Sequence, residues 1–191
     1  MADVARLAVL FVVVIDPFAA AIGASTLVGT RDDRTRRALA LGGAVVALAL
    51  LEVVIGLADP LLDALHISDP AAELAAGMVV LVPALDLLWN GPAGRVRPQP
   101  GASWARLALF PYGVPLLAGP GAIAVAIAWS VNVGAVQTFG GAAIALAVLT
   151  LLVCFWARPP RGRHARVLGA LTAVAMALVA FDLIRDGVFG N

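Results

Sequence analysis

The chain alternates long apolar stretches with short polar connections, and its pattern is set by the length of the stretches more than by any periodicity within them. A membrane crossing needs about 20 predominantly apolar residues in a helix. Six stretches reach that length or come close to it, covering residues 4–28, 38–58, 71–89, 107–129, 133–157 and 167–184. The connections leave no room for a soluble domain. The longest, NGPAGRVRPQPGAS (residues 90–103), is rich in Pro and Gly and separates two similar halves. The expected architecture is an all-α integral membrane protein in a single membrane domain, 1–191. Residues 1–91 form a first three-span repeat, 92–104 a cytoplasmic linker and 105–191 a second, inverted three-span repeat.

Composition agrees with this class. Apolar residues make up 62% of the 191 and charged residues 13%, about half the usual soluble fraction. The first stretch does not read as a cleaved signal. It is too long for a signal core, Asp16 and Pro17 interrupt it, and the basic cluster RDDRTRR follows instead of preceding it. All 13 basic residues are arginines, and a net charge of +1 gives no reason to expect nucleic-acid binding. Eleven of the 13 fall in three connections: Arg31, Arg34, Arg36 and Arg37; Arg95, Arg97 and Arg106; Arg158, Arg161, Arg163 and Arg166. The connections DPLLDALHISDP and SVNVGAVQTFG hold none. Short cytoplasmic connections collect positive charge, so both termini are expected outside and the arginine loops inside.

Three spans per half means that the second half enters the membrane inverted. ALDLLWNG (Ala84–Gly91) closes the third span and AFDLIRDG (Ala180–Gly187) the sixth, with Ala, Asp, Leu and Gly in register. The first and fourth spans are interrupted near their middles, by IDPF (Ile15–Phe18) and by AGPGA (Ala118–Ala122). Pro removes a backbone donor and clashes with the preceding turn, and Gly loosens the helix. Backbone groups freed in this way are tolerated at membrane depth only against protein or a water-filled cavity. Paired interruptions in inverted halves therefore point to a transporter's substrate site.

Local chemistry narrows the substrate. Asp16 suits the cap of a half-helix that starts at Pro17, and Gly119 and Pro120 repeat the arrangement without a carboxylate. The second half-helix then offers the amides of Gly121 and Ala122, and the positive end of its dipole, to a carboxylate. Asp16, with carbonyls freed by Pro17, can face an ammonium group or a coupling cation. The expected substrate site is Asp16, Pro17, Phe18, Gly119, Pro120, Gly121 and Ala122, and the expected ligand is a zwitterion. Small residues around both breaks serve close helix packing in lipid, which also keeps any cavity small. Asp16, Glu52 and Asp182 are ionisable groups within spans and are candidates for coupling to H+ or Na+. Asp86 and Asp182 lie near opposite ends of their spans, where interfacial solvation or an arginine partner such as Arg185 explains them. His66 and His164 lie in or beside loops, and no metal ligand set or cofactor is expected. Without a Cys/His cluster, HExxH or GxSxG, an intramembrane enzyme is not expected either. A non-transport scaffold, or a transporter of another small solute or ion, is the alternative.

VIDPFAA, LHISDPAAELAAGMVV and FPYGVPLLAGPGAIAVAI resemble the characteristic segments of the MarC family of six-span bacterial membrane proteins, and RVLGALTAVAMALVAFDLIRDGV resembles its last span. The resemblance covers nearly the whole chain. It implies an inner-membrane location and transport of small neutral amino acids. The chain departs from the family's pattern at Phe18, Ala19 and Ala20, where Gly and Asn are frequent, at Glu73 in place of Arg, and at Asp182 in place of Gln. These departures bear on substrate and coupling ion.

Overall fold

The computed structural model describes residues 2–29, 33–91, 99, 101–156 and 162–190. Much of the 92–104 linker, and Arg31, Arg95, Arg97, Arg158 and Arg161 of the arginine connections, lie outside the described residues. Among the described residues the chain is helical, without strands. In order it forms α1 (Ala2–Ile15), α2 (Pro17–Val28), α3 (Asp33–Leu65), α4 (Asp69–Asn90), the single turn α5 (Trp104–Leu107), an irregular helical segment Ala108–Leu117, α6 (Pro120–Val133), α7 (Ala135–Phe155) and α8 (Gly162–Phe189). Four of these, α3, α4, α7 and α8, are long and apolar enough to cross a membrane alone. Two further pairs reach that length only together: α1 with α2, bent by 49°, and Trp104–Leu117 with α6, bent by 60°.

Both bends fall where the sequence places the interruptions. At the first, Asp16 adopts φ +67°, ψ 97°, a left-handed conformation that Asp tolerates better than most residues. Its Oδ1 accepts hydrogen bonds from the amides of Phe18 (3.0 Å) and Ala19 (3.1 Å), so the carboxylate caps α2 directly. At the second, Gly119 is extended and Pro120 opens α6, with no side chain capping its first turn. The turns before it are irregular because Phe110 and Val114 each precede a proline, which drives them into extended backbone (φ −142° and −128°). The amide of Ala118 then reaches back five residues to the carbonyl of Gly113, at 2.9 Å.

Glycines set how closely the helices approach. A Cβ at Gly77 of α4 would lie 2.7 Å from the Ala180 carbonyl oxygen, and one at Gly187 of α8 would lie 2.5 Å from that of Pro70. As residue numbers fall on α4 they rise on α8, so the two helices pack antiparallel with backbones nearly touching. On α3, Gly42 and Gly43 receive Ala108 and the ring of Tyr112, which seats the irregular segment against a regular helix. Gly141 of α7 does the same for α1 at Leu7.

Two polar connections in the sequence prove mostly helical. α3 continues through Asp59 and Pro60 to Leu65, and the reversal before α4 takes only His66, at φ +55°, and its neighbours up to Ser68. Pro60 is tolerated because this end of α3 is exposed, where the missing backbone bond is replaced by solvent or headgroups. Likewise α6 and α7 are parted by Gly134 alone, at φ +110°.

The α4–α8 contact yields a stability test. Gly77→Ala should destabilise the protein by roughly 1–3 kcal/mol, because the methyl group meets backbone that cannot yield. Thermal unfolding in detergent measures it, and an unchanged transition would mean that the two backbones are not locked together.

Candidate functional site

A cavity of about 560 Å³ opens beside the second break. Its walls come from four elements: Val14 and Ile15 at the end of α1; Val79, Val82, Pro83 and Asp86 on α4; the irregular segment from Pro111 to Leu117; and Gly119 to Ala122 at the start of α6. Met176 of α8 completes it. Most of the surface is apolar, and Asp86 is the one ionisable side chain among the lining residues. An apolar hollow with a few convergent polar groups is the usual form of a small-molecule site.

Gly119, Pro120, Gly121 and Ala122 are thus brought together on one wall. Gly121 and Ala122 occupy the second and third positions of α6, whose amides have no helical carbonyl four residues back to bond. The carbonyl of Gly119 already accepts from Ile123, at 3.0 Å, so the helix is formed from its first turn and its dipole is directed at the cavity. A Cβ at Gly121 would meet Val14, Val80 and Pro83 at 3.5–4.0 Å, ordinary contact distances. One methyl group fits there; a longer side chain must displace these neighbours.

The other expected site residues are placed differently. Asp16 is fully buried but, with Pro17 and Phe18, is not among the cavity's lining residues. Phe18 packs edge-on against Trp156 with ring centroids 5.8 Å apart. Ile15, the residue before Asp16, is the point at which the first break meets the wall. Glu52 is exposed on α3 and lines neither cavity described here. Asp182 lines a second, smaller cavity of about 130 Å³ at the other end of α4 and α8, with Asp3, Arg6, Glu73, Asn132 and Asp186. There it pairs with Arg185 at 2.8 Å and lies 3.7 Å from Arg6.

Asp86 is the cavity residue that sequence reasoning left at an interface. A signal was present: Val79, Val82, Pro83 and Asp86 recur at spacings of three and four, one face of a helix. Its Oδ1 accepts from the Asn90 side chain at 2.8 Å. Pro111 and Pro115 were legible as helix breakers but not as walls.

Comparison with known proteins adds an identity to this geometry. The profile described as MarC family integral membrane protein matches residues 1–190. A UPF0056 membrane protein of Archaeoglobus fulgidus is similar, with 24% identity over 166 residues that cover 82% of this chain and 78% of the relative. No solved structure matches.

The cap at the first break can be tested separately from any ligand. Asp16→Ala should cost about 1 kcal/mol or more of stability, since two amides lose their acceptor inside the protein, whereas Asp16→Asn should retain most of it. Unfolding midpoints of the two variants in one detergent check this, and equal midpoints would mean that the cap contributes nothing.

Proposed function

The chain belongs to the MarC family of integral membrane proteins, and from that premise we propose that it is a secondary transporter of small neutral amino acids such as alanine, glycine or serine. The observation that carries the reading is the cavity's position against the uncapped first turn of α6. A substrate carboxylate accepts hydrogen bonds from the amides of Gly121 and Ala122 and lies at the positive end of the helix dipole. The ammonium group turns towards the Asp86 side chain on the wall. The short apolar wall at Val14, Val79 and Val82 accepts a small side chain and gives no partner to a charged one. Pro17 and Phe18 belong to the site by holding the first break in shape. Asp16 does so as well, by capping α2, and this brings Ile15 to the wall.

In this reading each bent pair is one crossing, giving six crossings in two inverted halves, 1–91 and 105–191. The antiparallel packing of α4 on α8 supports it, because it sets Asp86 and Asp182, matched in the two ALDLLWNG-like segments, at opposite ends of one helix pair. The arginine connections then lie in the cytoplasm and the termini outside, in the bacterial inner membrane. Asp182 is the better placed of the remaining acids for coupling to H+ or Na+, since it faces a cavity whereas Glu52 faces away from both. A scaffold without transport would leave the cavity and the uncapped turn without a task.

Counterflow of labelled alanine in proteoliposomes tests the proposal at one residue. Gly121→Ala should keep most of the exchange, because its methyl group fits. Gly121→Leu should lower it about tenfold or more, equivalent to ~1.4 kcal/mol of lost binding. Undiminished exchange by a folded Gly121→Leu protein would remove the carboxylate site.

A further inference from the structure

The two cavities share four helices, and a pair of aromatic rings packs at the level where the lining of one gives way to that of the other. Along α1, Leu7 and Leu10 line the smaller cavity and Val14 and Ile15 the larger. Along α6, running the other way, Asn132 and Trp129 line the smaller and Ala122 and Gly121 the larger. α4 contributes Glu73 to one and Val79 to the other, and α8 contributes Val179 to one and Met176 to the other. Between them, Phe11 meets Trp129 edge to face, with centroids 5.1 Å apart and planes at 88°. Phe11 is completely buried and Trp129 only 7% exposed. Val125, fully buried, lies between Ala122 and Trp129 on α6.

We propose that the two cavities are the two ends of one path through the protein, and that the Phe11–Trp129 pair is its closed gate. The inference rests on the transport reading above and extends it to the route the substrate takes. The larger cavity reaches Asp86, near the end of α4 that adjoins the arginine connection, whereas the smaller lies among charged groups at the opposite end. The structure is thus closed on the side of the N-terminus.

In the proposed opening α6 turns and α1 stays in place. α1 is held by α7, where Gly141 admits Leu7 to a distance that a Cβ would not allow. α6 is bounded by non-helical residues at both ends, Gly119 and Gly134, the second at φ +110°. Element-terminal residues of this kind are where a helix can hinge as a rigid body. Turning α6 carries Trp129 off Phe11 and joins the cavities, while moving the amides of Gly121 and Ala122, so opening the gate and presenting the substrate site are one motion. Edge-to-face contact suits this task, since it closes a passage with dispersion and quadrupole attraction and leaves no buried hydrogen bond to break.

Access to one cysteine tests this without any substrate. In a Cys154→Ala background, Val14→Cys places a thiol in the larger cavity, one turn beyond Phe11. A membrane-impermeant maleimide is applied to vesicles of each orientation, identified by a cleavable N-terminal tag. Labelling should be at least ten times slower from the N-terminal side than from the other. Either Phe11→Ala or Trp129→Ala should remove most of that difference, and Trp129→Phe should preserve it. Leu149→Ala, a buried truncation lining neither cavity, controls for general loosening and should leave the difference intact. Equal labelling from both sides of the parent, or a difference that survives both alanine variants, would overturn the gate. So would its loss in Leu149→Ala. Alanine counterflow is measured on the same preparations: gated labelling without alanine exchange keeps the gate and removes only the amino-acid reading.

Discussion

Everything in this fold follows from how backbone amides are satisfied where water is scarce. A helix solves the problem for its interior but leaves its first amides without partners, and a helix that restarts within an apolar segment brings those amides to membrane depth. The chain restarts twice and treats the two restarts differently. At Pro17 the Asp16 carboxylate accepts from two amides, and the turn is closed. At Pro120 no side chain caps the turn, and Gly121 and Ala122 stand at the wall of the 560 Å³ cavity. One break is completed by a side chain; the other is not.

An open turn of this kind requires a rigid surround, and glycine provides it. Gly77 and Gly187 bring α4 and α8 into backbone contact, Gly42 and Gly43 seat the irregular Ala108–Leu117 segment on α3, and Gly141 draws α1 onto α7. In lipid, where burying apolar surface gains little, such close approach is the main source of cohesion between helices. Pro83, Pro111, Pro115 and Pro120 line the hollow, and each removes one backbone donor there.

The positions of both breaks were legible in the sequence, since Asp-Pro and Gly-Pro-Gly within apolar stretches leave few alternatives. The capping role of Asp16 was legible too, being a local matter of three residues. The wall of the site was harder to read. Asp86 and Val14 reach it through the packing of α4 and α1 against α6, and nothing within their own segments separates a cavity face from a lipid face when both are apolar. For the same reason Asp16, expected in the substrate site itself, is found at the break but outside the cavity's lining. The polar connections at 59–70 and 130–140 read as loops because their composition is that of a membrane surface, where helices can continue past the apolar span.

The uncapped turn of α6 is the centre of this functional reading, and its amides can be observed directly. Protein carrying 15N at glycine and alanine, reconstituted in lipid, would be titrated with unlabelled alanine while the amide resonances of Gly121 and Ala122 are followed by solid-state NMR. Both should shift downfield and saturate together, as amides do on donating to a carboxylate, while that of Ala19, already bonded to Asp16, stays in place. Unmoved Gly121 and Ala122 resonances at alanine concentrations that saturate exchange would contradict a carboxylate site at this helix.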